Sequence, residues 1–240
     1  MKMSANDSNS ADIFIYGDIE RYKFIEEDTT ATSFKEDLDS LGDVATINLY
    51  INSPGGSVFE GIAIHNMLKR HKAKVNVYVD ALAASIASVI AMAGDAIFMP
   101  KNSMLMIHNA WTIALGNAAE LRKKADDLDR ISNSSKQSYL QKSGDKLTEE
   151  KLQEMLDAET WLSADDAFSY GLCDEVLEEN QMAASISEEL FAKYKNVPES
   201  LVKENEQDTS PTKEEMEKRK KIAEQATQNA NYINDILGGM

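Results

Sequence analysis

The sequence predicts an α/β fold with a largely parallel sheet. Short apolar segments rich in β-branched residues alternate with segments whose apolar residues have helical spacing. Two of the apolar segments, residues 45–51 and 74–79, flank a helix-length segment that follows a glycine pair. Strands and helices that alternate at this length favour parallel pairing with right-handed crossovers. With 240 residues, of which 42% are hydrophobic, the chain can form one domain and a tail.

The first half of the chain begins with a polar leader, residues 1–10, which is predicted to be disordered. Strands are predicted at residues 13–16, 45–51 and 74–79, and helices at residues 31–41 and from Ser57 to about Arg70. Phe34, Leu38 and Leu41 form the apolar side of the first helix.

The second half begins with a predicted helix at residues 81–94, which carries Ser85 near its start. Short strands at residues 96–99 and 104–107 follow, and the second one leads into His108. Residues 109–116 should be extended, and a long helix is predicted from about residue 117 to 141. Two shorter helices starting near Thr148 and Ser163, and a strand at residues 173–176, complete the domain.

Beyond residue 180 the composition changes, so residues 11–180 are predicted as the folded domain and 181–240 as a charged extension. Residues 182–194 fit an amphipathic helix, 198–211 a linker and 213–237 a charged helix. The last segment has only about two heptads, so a solvated or disordered tail is an equally good interpretation.

The charge balance excludes several partners. The formal net charge is −16 and the isoelectric point lies near 4.6. DNA, RNA and anionic membranes need a basic surface, so none of them is expected to bind. No secretory signal is visible at the start, and residues 81–94 are too short and too rich in small side chains to span a bilayer. A cytoplasmic protein is therefore expected.

Cysteine and histidine usage argues against a disulfide and a metal site. Cys173 is the only cysteine, so no intrachain disulfide can form, and a buried apolar role is expected for it. Neither a His-x-x-x-His pair nor a carboxylate cluster at ligand spacing is present. No metal or other cofactor is expected.

Residues 52–57, Asn-Ser-Pro-Gly-Gly-Ser, join a predicted strand directly to a helix. This arrangement leaves backbone N–H groups at the carboxyl end of the strand, where they can bind an anion. A glycine pair is, however, equally typical of a simple tight turn.

Ser85 and His108 are the candidate nucleophile and base. Unpaired N–H groups at a helix start stabilise negative charge beside Ser85, which suits acyl transfer. A serine hydroxyl also needs a base to accept its proton. His108 ends an apolar strand, whereas His65 and His71 lie among polar residues and are expected on the surface.

Three motifs in this order resemble the proteolytic subunit of Clp protease. They are residues 52–56 (Asn-Ser-Pro-Gly-Gly), 83–88 (Ala-Ala-Ser-Ile-Ala-Ser) and 106–109 (Met-Ile-His-Asn). The variants at 90–94, 106–111 and 159–161 are more similar to the Clp-like head maturation proteases of phages and prophages. The resemblance implies a ClpP/crotonase-like fold of repeated β-β-α units with a protruding helical handle.

The resemblance also implies a serine peptidase triad. Ser85 would be the nucleophile and His108 the general base, with the N–H groups of Gly56 and Ile86 as the oxyanion hole. The family's aspartate falls on Glu159, two residues before Trp161, and Asp157 is the second candidate for the acid. A glycine that often precedes the serine in the family is Ala81 here.

Partners follow from the same resemblance. Residues 109–116 would pair with an extended peptide substrate, and residues 117–141 would serve as a handle in homo-oligomeric rings, stacked or single. The substrate would be a capsid or scaffold protein in the host cytoplasm or the phage prohead, with or without a Clp ATPase partner. Leu121, Leu128 and Ile131 could equally belong to an ordinary core.

Two other functions remain open from the sequence. A crotonase-type acyl-CoA enzyme shares the fold and the oxyanion hole but has no need of Ser85 or His108. A non-catalytic capsid assembly or scaffolding protein could retain the fold, and the extension at 181–240 would suit such contacts.

Overall fold

The computed structural model describes residues 3–6, 9–23, 25, 27–178, 194 and 196–198. The chain divides into one unit at Met1–Pro198 and a second at Glu199–Met240, and the second lies outside the described residues. The segments predicted at 198–211 and 213–237, and the helix predicted at 182–194, lie outside them too, apart from Tyr194 and Pro198.

Eight strands and six α-helices occur within the described residues. The strands are β1 (Met3–Asn6), β2 (Ser10–Tyr16), β3 (Thr46–Ser53), β4 (Lys74–Ala84), β5 (Ala96–Pro100), β6 (Met104–Ile107), β7 (Thr160–Ser163) and β8 (Glu175–Leu177). The helices are α1 (Ala31–Ser40), α2 (Val58–Lys69), α3 (Ile86–Ala91), α4 (Ala118–Ser143), α5 (Glu149–Asp157) and α6 (Ala164–Ser169).

All these strands join one sheet, whose main order is β1-β2-β3-β4-β5-β8. From β2 to β8 each neighbouring pair along this order is parallel, and only β1 is antiparallel to its neighbour β2. Helices α1, α2 and α3 connect β2, β3, β4 and β5 in turn. The predicted α/β class with a largely parallel sheet is therefore confirmed.

Strand β4 branches the sheet beside the candidate serine. Its first half pairs with β5 from Asn76 to Tyr78, and its end pairs with β6 from Leu82 to Ala84. The prediction of a helix over residues 81–94 is wrong at its start, because the backbone of residues 82–84 pairs with β6 and the helix begins only after Ser85. Strand β7 then pairs antiparallel with β6.

The first residues also differ from the prediction of a disordered leader. Residues 3–6 form β1, which pairs antiparallel with β2 over residues 10–13. Polar sequence does not prevent this pairing, since the hydrogen bonds of a sheet are made by the backbone.

The core lies on one face of the sheet. Alternate residues of β2 and β3 are buried, including Ile13, Ile15, Leu49 and Ile51. Helices α1 and α2 cover this face with apolar side chains: Phe34, Leu38, Ile64 and Leu68. Burial of this face fixes the register of the strands, because a shift by one residue would turn it outward.

The opposite face carries a row of aromatic side chains in neighbouring strands. Phe14, Tyr50, Tyr78 and Phe98 are in register and stack with centroid separations of 4.8, 5.0 and 4.8 Å. Cross-strand aromatic pairs of this kind stabilise a sheet by roughly 0.2–1 kcal/mol each.

Helix α4 is the predicted long helix and begins with a capping box. The Asn117 side chain accepts hydrogen bonds from the N–H groups of Ala119 and Glu120, and the Glu120 side chain accepts one from the Asn117 N–H. Residues 118–126 are exposed, whereas Ser132, Lys136 and Tyr139 are buried. In the parts of the chain that are described, no helix has both the length and the apolar character needed to cross a bilayer.

Candidate active site

Ser85 lies at the turn between β4 and α3 with an unusual backbone conformation. Its φ is 54° and its ψ is −127°, a combination that non-glycine residues rarely adopt. The turn is held because the Ser85 N–H donates to the Met106 carbonyl at 2.9 Å, next to the paired strands β4 and β6. This geometry presents the hydroxyl at the carboxyl end of the strand.

His108 follows β6 directly and contacts the serine. Its Nε2 lies 2.7 Å from the Ser85 Oγ, which is hydrogen-bond distance. Burial lowers the pKa of His108 from its usual 6.5, and the Glu159 carboxylate only partly opposes this shift. The imidazole is therefore neutral at pH 7 and able to accept the serine proton.

Glu159 lies on the other side of the imidazole. Its Oε2 is 4.0 Å from the His108 Nδ1, which is beyond a direct hydrogen bond but close enough for electrostatic attraction. Like Ser85, Glu159 has a positive φ, here 50°, and it lies in the short connection between α5 and β7.

Asp157, the second candidate for the acid, is bonded elsewhere. Its Oδ1 accepts hydrogen bonds from the side-chain amides of Asn109 and Gln153, both at 2.7 Å. Of the two acids, Glu159 is thus the one that faces the His108 ring.

The glycine pair lies directly against the serine turn. A Cβ on Gly55 would lie 2.8 Å from the Ser85 Cβ and 3.0 Å from the Ile86 nitrogen, and a Cβ on Gly56 would lie 2.1 Å from the Ile19 carbonyl oxygen. Their φ angles are +93° and +142°. Both positions therefore require glycine, since a side chain at 55 would push the loop away from Ser85 and one at 56 would clash with the Ile19 backbone.

Two backbone N–H groups near Ser85, those of Gly56 and Ile86, are not used by the hydrogen bonds of the bridge and the helix beside them, among the residues that the structure describes. The bridge to Ile19 uses the Gly55 carbonyl and the Ser57 N–H, so the intervening N–H of Gly56 takes no part in it. The N–H of Ile86 is the first in α3, and the first N–H groups of a helix have no intrahelical partner. This arrangement fits the anion cradle predicted from the glycine pair.

An open cavity of about 360 Å³ contains the serine, the imidazole and the glycine pair. Its lining consists of Glu20, Pro54, Gly55, Gly56, Ser57, Val58, Ser85, His108, Ala110, Trp111 and Tyr194. The Ser85 hydroxyl thus faces a space that is large enough for part of a peptide.

Two buried hydroxyls behind the site were not predicted. Ser88 Oγ donates to the Ser85 carbonyl at 2.5 Å and lies 2.6 Å from the Tyr139 hydroxyl. Burial raises the pKa of Tyr139, so the phenol stays protonated. These contacts connect α4 to the strained residue. The spacing Ser85 to Ser88 is visible in the sequence, but nothing in it indicates that Tyr139 would meet Ser88.

The remaining histidines lie in other environments. His65 was expected on the surface, which is wrong: only 7% of the residue is exposed, because α2 packs this side inward, and its Nδ1 lies 3.2 Å from Asn66 Oδ1. His71 Nδ1 accepts a hydrogen bond from the Ala73 N–H.

Cys173 is buried, as predicted, and burial raises the pKa of its thiol to about 11. Among the described residues, no group of three or more His, Cys, Asp or Glu side chains could hold a metal ion.

Comparison with known proteins shows the family of the chain. The family model described as Clp protease matches residues 8–180. The ATP-dependent Clp protease proteolytic subunit of Deinococcus radiodurans is 33% identical over 147 residues, which cover 60% of this chain and 71% of the relative. The chain belongs to the Clp protease family, a family of serine peptidases.

Proposed function

We propose that the chain is a serine endopeptidase in which Ser85 is the nucleophile and His108 the general base. Glu159 orients the imidazole and stabilises its protonated form. The observation that carries the proposal is the 2.7 Å contact between Ser85 Oγ and His108 Nε2 in an open cavity. A hydroxyl and a neutral imidazole at this distance are what acyl transfer by serine requires.

The reaction starts when the Ser85 Oγ attacks the carbonyl carbon of a peptide bond and its proton passes to His108 Nε2. The same proton then moves to the leaving amine, and the acyl-enzyme forms. Water, activated by the neutral His108, hydrolyses the ester and restores the serine. The Glu159 carboxylate stabilises the imidazolium through its charge.

The N–H groups of Gly56 and Ile86 serve as the oxyanion hole. They stabilise the negative charge that develops on the carbonyl oxygen, and a donor of this type typically contributes ~3 kcal/mol. The lack of side chains at Gly55 and Gly56 supports this role. A Cβ on Gly55 would clash with Ser85, and one on Gly56 would clash with Ile19, so only glycine lets the loop lie this close to the serine turn.

The substrate is an extended or unfolded polypeptide. Residues 109–116, which follow His108, form neither helix nor strand. Ile113 and Leu115 in this segment are 86% and 98% exposed. A backbone segment next to the cavity that belongs to no helix or strand can pair with a peptide in β-strand conformation. We further propose that the substrates are capsid or scaffold proteins of a phage head, on the basis of the motif variants at 90–94, 106–111 and 159–161.

Assembly belongs to the same proposal. The exposed start of α4, including Leu121, fits a handle between the subunits of a homo-oligomeric ring. The relative of this chain from Deinococcus radiodurans is described as ATP-dependent, so we propose that a Clp ATPase delivers the substrate. Residues 11–180 would be the peptidase domain and 181–240 its extension.

The contact between Ser85 and His108 favours a peptidase over a crotonase-type enzyme, which needs neither side chain. The strained backbone of Ser85 favours catalysis over a purely structural assembly role. Holding a serine in this conformation costs roughly 1–3 kcal/mol, which scaffolding would not require.

The test is covalent labelling with a fluorophosphonate. The assembled wild-type protein should be labelled at Ser85, and labelling should vanish in Ser85→Ala and fall by about 10⁴ in His108→Ala. Ser57→Ala is the matched control, since this hydroxyl lines the same cavity but has no role in the proposal.

Equal labelling of Ser85→Ala and wild type, or no labelling of the assembled wild type, would refute the peptidase. Cleavage of a co-expressed capsid precursor, lost in His108→Ala, would identify the substrate class. Cleavage of unrelated unfolded proteins alone would contradict the phage assignment and leave the peptidase intact.

A further inference from the structure

We propose that the segment beyond the peptidase domain positions the imidazole and the carboxylate of the site through Tyr194 and Asn196. The inference rests on the proposed function, because it concerns the same site. Both residues belong to the region that the sequence separates from the domain at residue 180. The structure nevertheless puts them beside His108 and Glu159.

Asn196 holds one oxygen of the Glu159 carboxylate. Its backbone N–H donates to Oε1 at 3.0 Å, and its side-chain amide donates to the carbonyl of the preceding residue, Ala158, at 2.8 Å. The other oxygen, Oε2, faces the His108 Nδ1 at 4.0 Å. A carboxylate bonded through one oxygen is restricted in rotation, so the second oxygen stays directed at the ring.

The strained backbone of Glu159 makes this support important. A non-glycine residue at φ 50° persists only where neighbouring groups hold it. The two hydrogen bonds from Asn196 fall on residues 158 and 159, at the strained position itself. The segment therefore stabilises both the backbone and the carboxylate of the acid.

Tyr194 supports the imidazole from the same segment. Its ring meets the rings of His108 and Trp161 edge to face, with centroids 5.8 and 5.7 Å apart. Its hydroxyl donates to the Pro54 carbonyl, at the start of the glycine pair. Burial raises the pKa of Tyr194, so the hydroxyl remains a neutral donor. One side chain thus contacts the base, the strand after the acid and the loop of the oxyanion hole.

The contacts also allow a competing interpretation, in which the segment blocks the cavity. Tyr194 lines the cavity that contains Ser85. The two interpretations predict opposite effects: loss of a positioning contact slows the chemistry at Ser85, whereas loss of a blocking contact speeds it. The backbone bond to Glu159 favours positioning, since blocking the cavity would not require it.

The experiment measures fluorophosphonate labelling of Ser85 in the full chain as a function of probe concentration. Asn196→Pro deletes the N–H that donates to Glu159, and the matched variant Asn196→Ala keeps it while losing the side-chain bond. We expect the limiting labelling rate to fall about tenfold in Asn196→Pro, with the half-saturating concentration unchanged, because a bond to a charged group is lost. Asn196→Ala loses only the bond to the Ala158 carbonyl and keeps the bond to the Glu159 carboxylate, so its limiting rate should fall, but clearly less than that of Asn196→Pro.

Tyr194→Ala tests the second contact and keeps the proposal testable should Asn196→Pro fail to fold, which thermal unfolding would reveal. Its limiting rate should also fall about tenfold, and Tyr194→Phe should recover most of the loss because the ring remains. Folded Asn196→Pro and Tyr194→Ala proteins that label at the wild-type rate, or faster, would overturn the positioning role and leave the peptidase intact. A wild-type chain that is not labelled would overturn both.

Discussion

The turn that carries Ser85 and the turn that carries Glu159 are both strained, but they are held by different parts of the chain. Ser85 is held by hydrogen bonds to core elements: its N–H donates to Met106 in β6, and its carbonyl accepts from Ser88 in α3. Gly55 of the glycine pair packs directly against it. The Glu159 N–H donates to the Leu156 carbonyl of α5 at 3.3 Å, and its carboxylate accepts a hydrogen bond from Asn196, 37 positions further along the chain. The proposed nucleophile is thus held within the core, whereas the carboxylate of the proposed acid is bonded to a residue from a distant part of the chain.

The two turns also lie at different distances from His108. The imidazole is 2.7 Å from the serine oxygen but 4.0 Å from the glutamate oxygen. The strands that carry Ser85 and His108 are direct neighbours, β4 and β6, so their ends meet. Strand β7, which begins after Glu159, also pairs directly with β6, with Thr160 opposite Ile107, so the longer distance on this side reflects how the Glu159 side chain is placed rather than the order of the strands. Substitutions on the serine side should therefore affect both activity and folding, and those on the acid side mainly activity.

After the Ser85 and His108 variants, the largest effect should come from Gly56→Ala. The added Cβ would lie 2.1 Å from the Ile19 carbonyl oxygen at a φ of +142°, so the loop must move and carry the Gly56 N–H away from the position that the proposed oxyanion hole requires. We expect labelling of Ser85 to fall about 10²- to 10³-fold. Gly42→Ala is the control: its φ is also positive, but nothing lies within 4 Å, so it should cost about 1 kcal/mol of stability and no activity. Retained labelling in Gly56→Ala would remove Gly56 from the oxyanion hole.

The next largest effect should come from Glu159→Gln. An amide keeps the shape but loses the charge that stabilises the imidazolium, so the limiting labelling rate should fall roughly 10- to 100-fold with little change in melting temperature. Asp157→Asn should stay within about threefold, because the Asp157 carboxylate is bonded to Asn109 and Gln153 rather than to His108. The reverse order of the two variants would make Asp157 the acid.

The dependence of labelling on pH tests His108, which lies between the Ser85 and Glu159 turns. Burial lowers the pKa of His108 below its usual 6.5, so the base should be free above that pH, and labelling should fall about tenfold per unit well below it. The Glu159 carboxylate acts in the opposite direction and raises this pKa. Glu159→Gln should therefore shift the acid limb to lower pH, which a rate profile from pH 4 to 8 would measure. An acid limb above pH 7 would contradict the neutral, buried imidazole.

The smallest effect should come from Tyr139→Phe on the serine side. This variant removes the hydroxyl that contacts Ser88 but leaves the bond from Ser88 to the Ser85 carbonyl. We expect a loss of about 1 kcal/mol in the free energy of unfolding and at most a threefold slower labelling rate, measured by denaturant titration and by labelling. Ser88→Ala removes both bonds and should be worse in both assays. Equal effects of the two variants would mean that the Ser85 carbonyl does not depend on Ser88.

The sequence predicted what depends on local patterns and on ordered motifs. Apolar segments rich in β-branched residues or with alternating apolar residues predicted the parallel strands. The glycine pair and His108 were singled out at strand ends and Ser85 at a helix start, and the structure brings Ser85 and His108 to hydrogen-bond distance. The helix predicted over residues 81–94 started too early, because small residues such as Ala83 and Ala84 fit a helix as well as a strand and pairing with β6 decides between them.

Only the tertiary structure decided how the acid is held. Which carboxylate faces His108 depends on how β7 pairs with β6, and no local spacing determines that pairing. The contacts of Tyr139 with Ser88 and of Asn196 with Glu159 join residues 51 and 37 positions apart. Such long-range contacts depend on how distant parts of the chain pack together. The strain at Ser85 and the need for glycine at 55 and 56 likewise arise only where separate parts of the fold come into van der Waals contact.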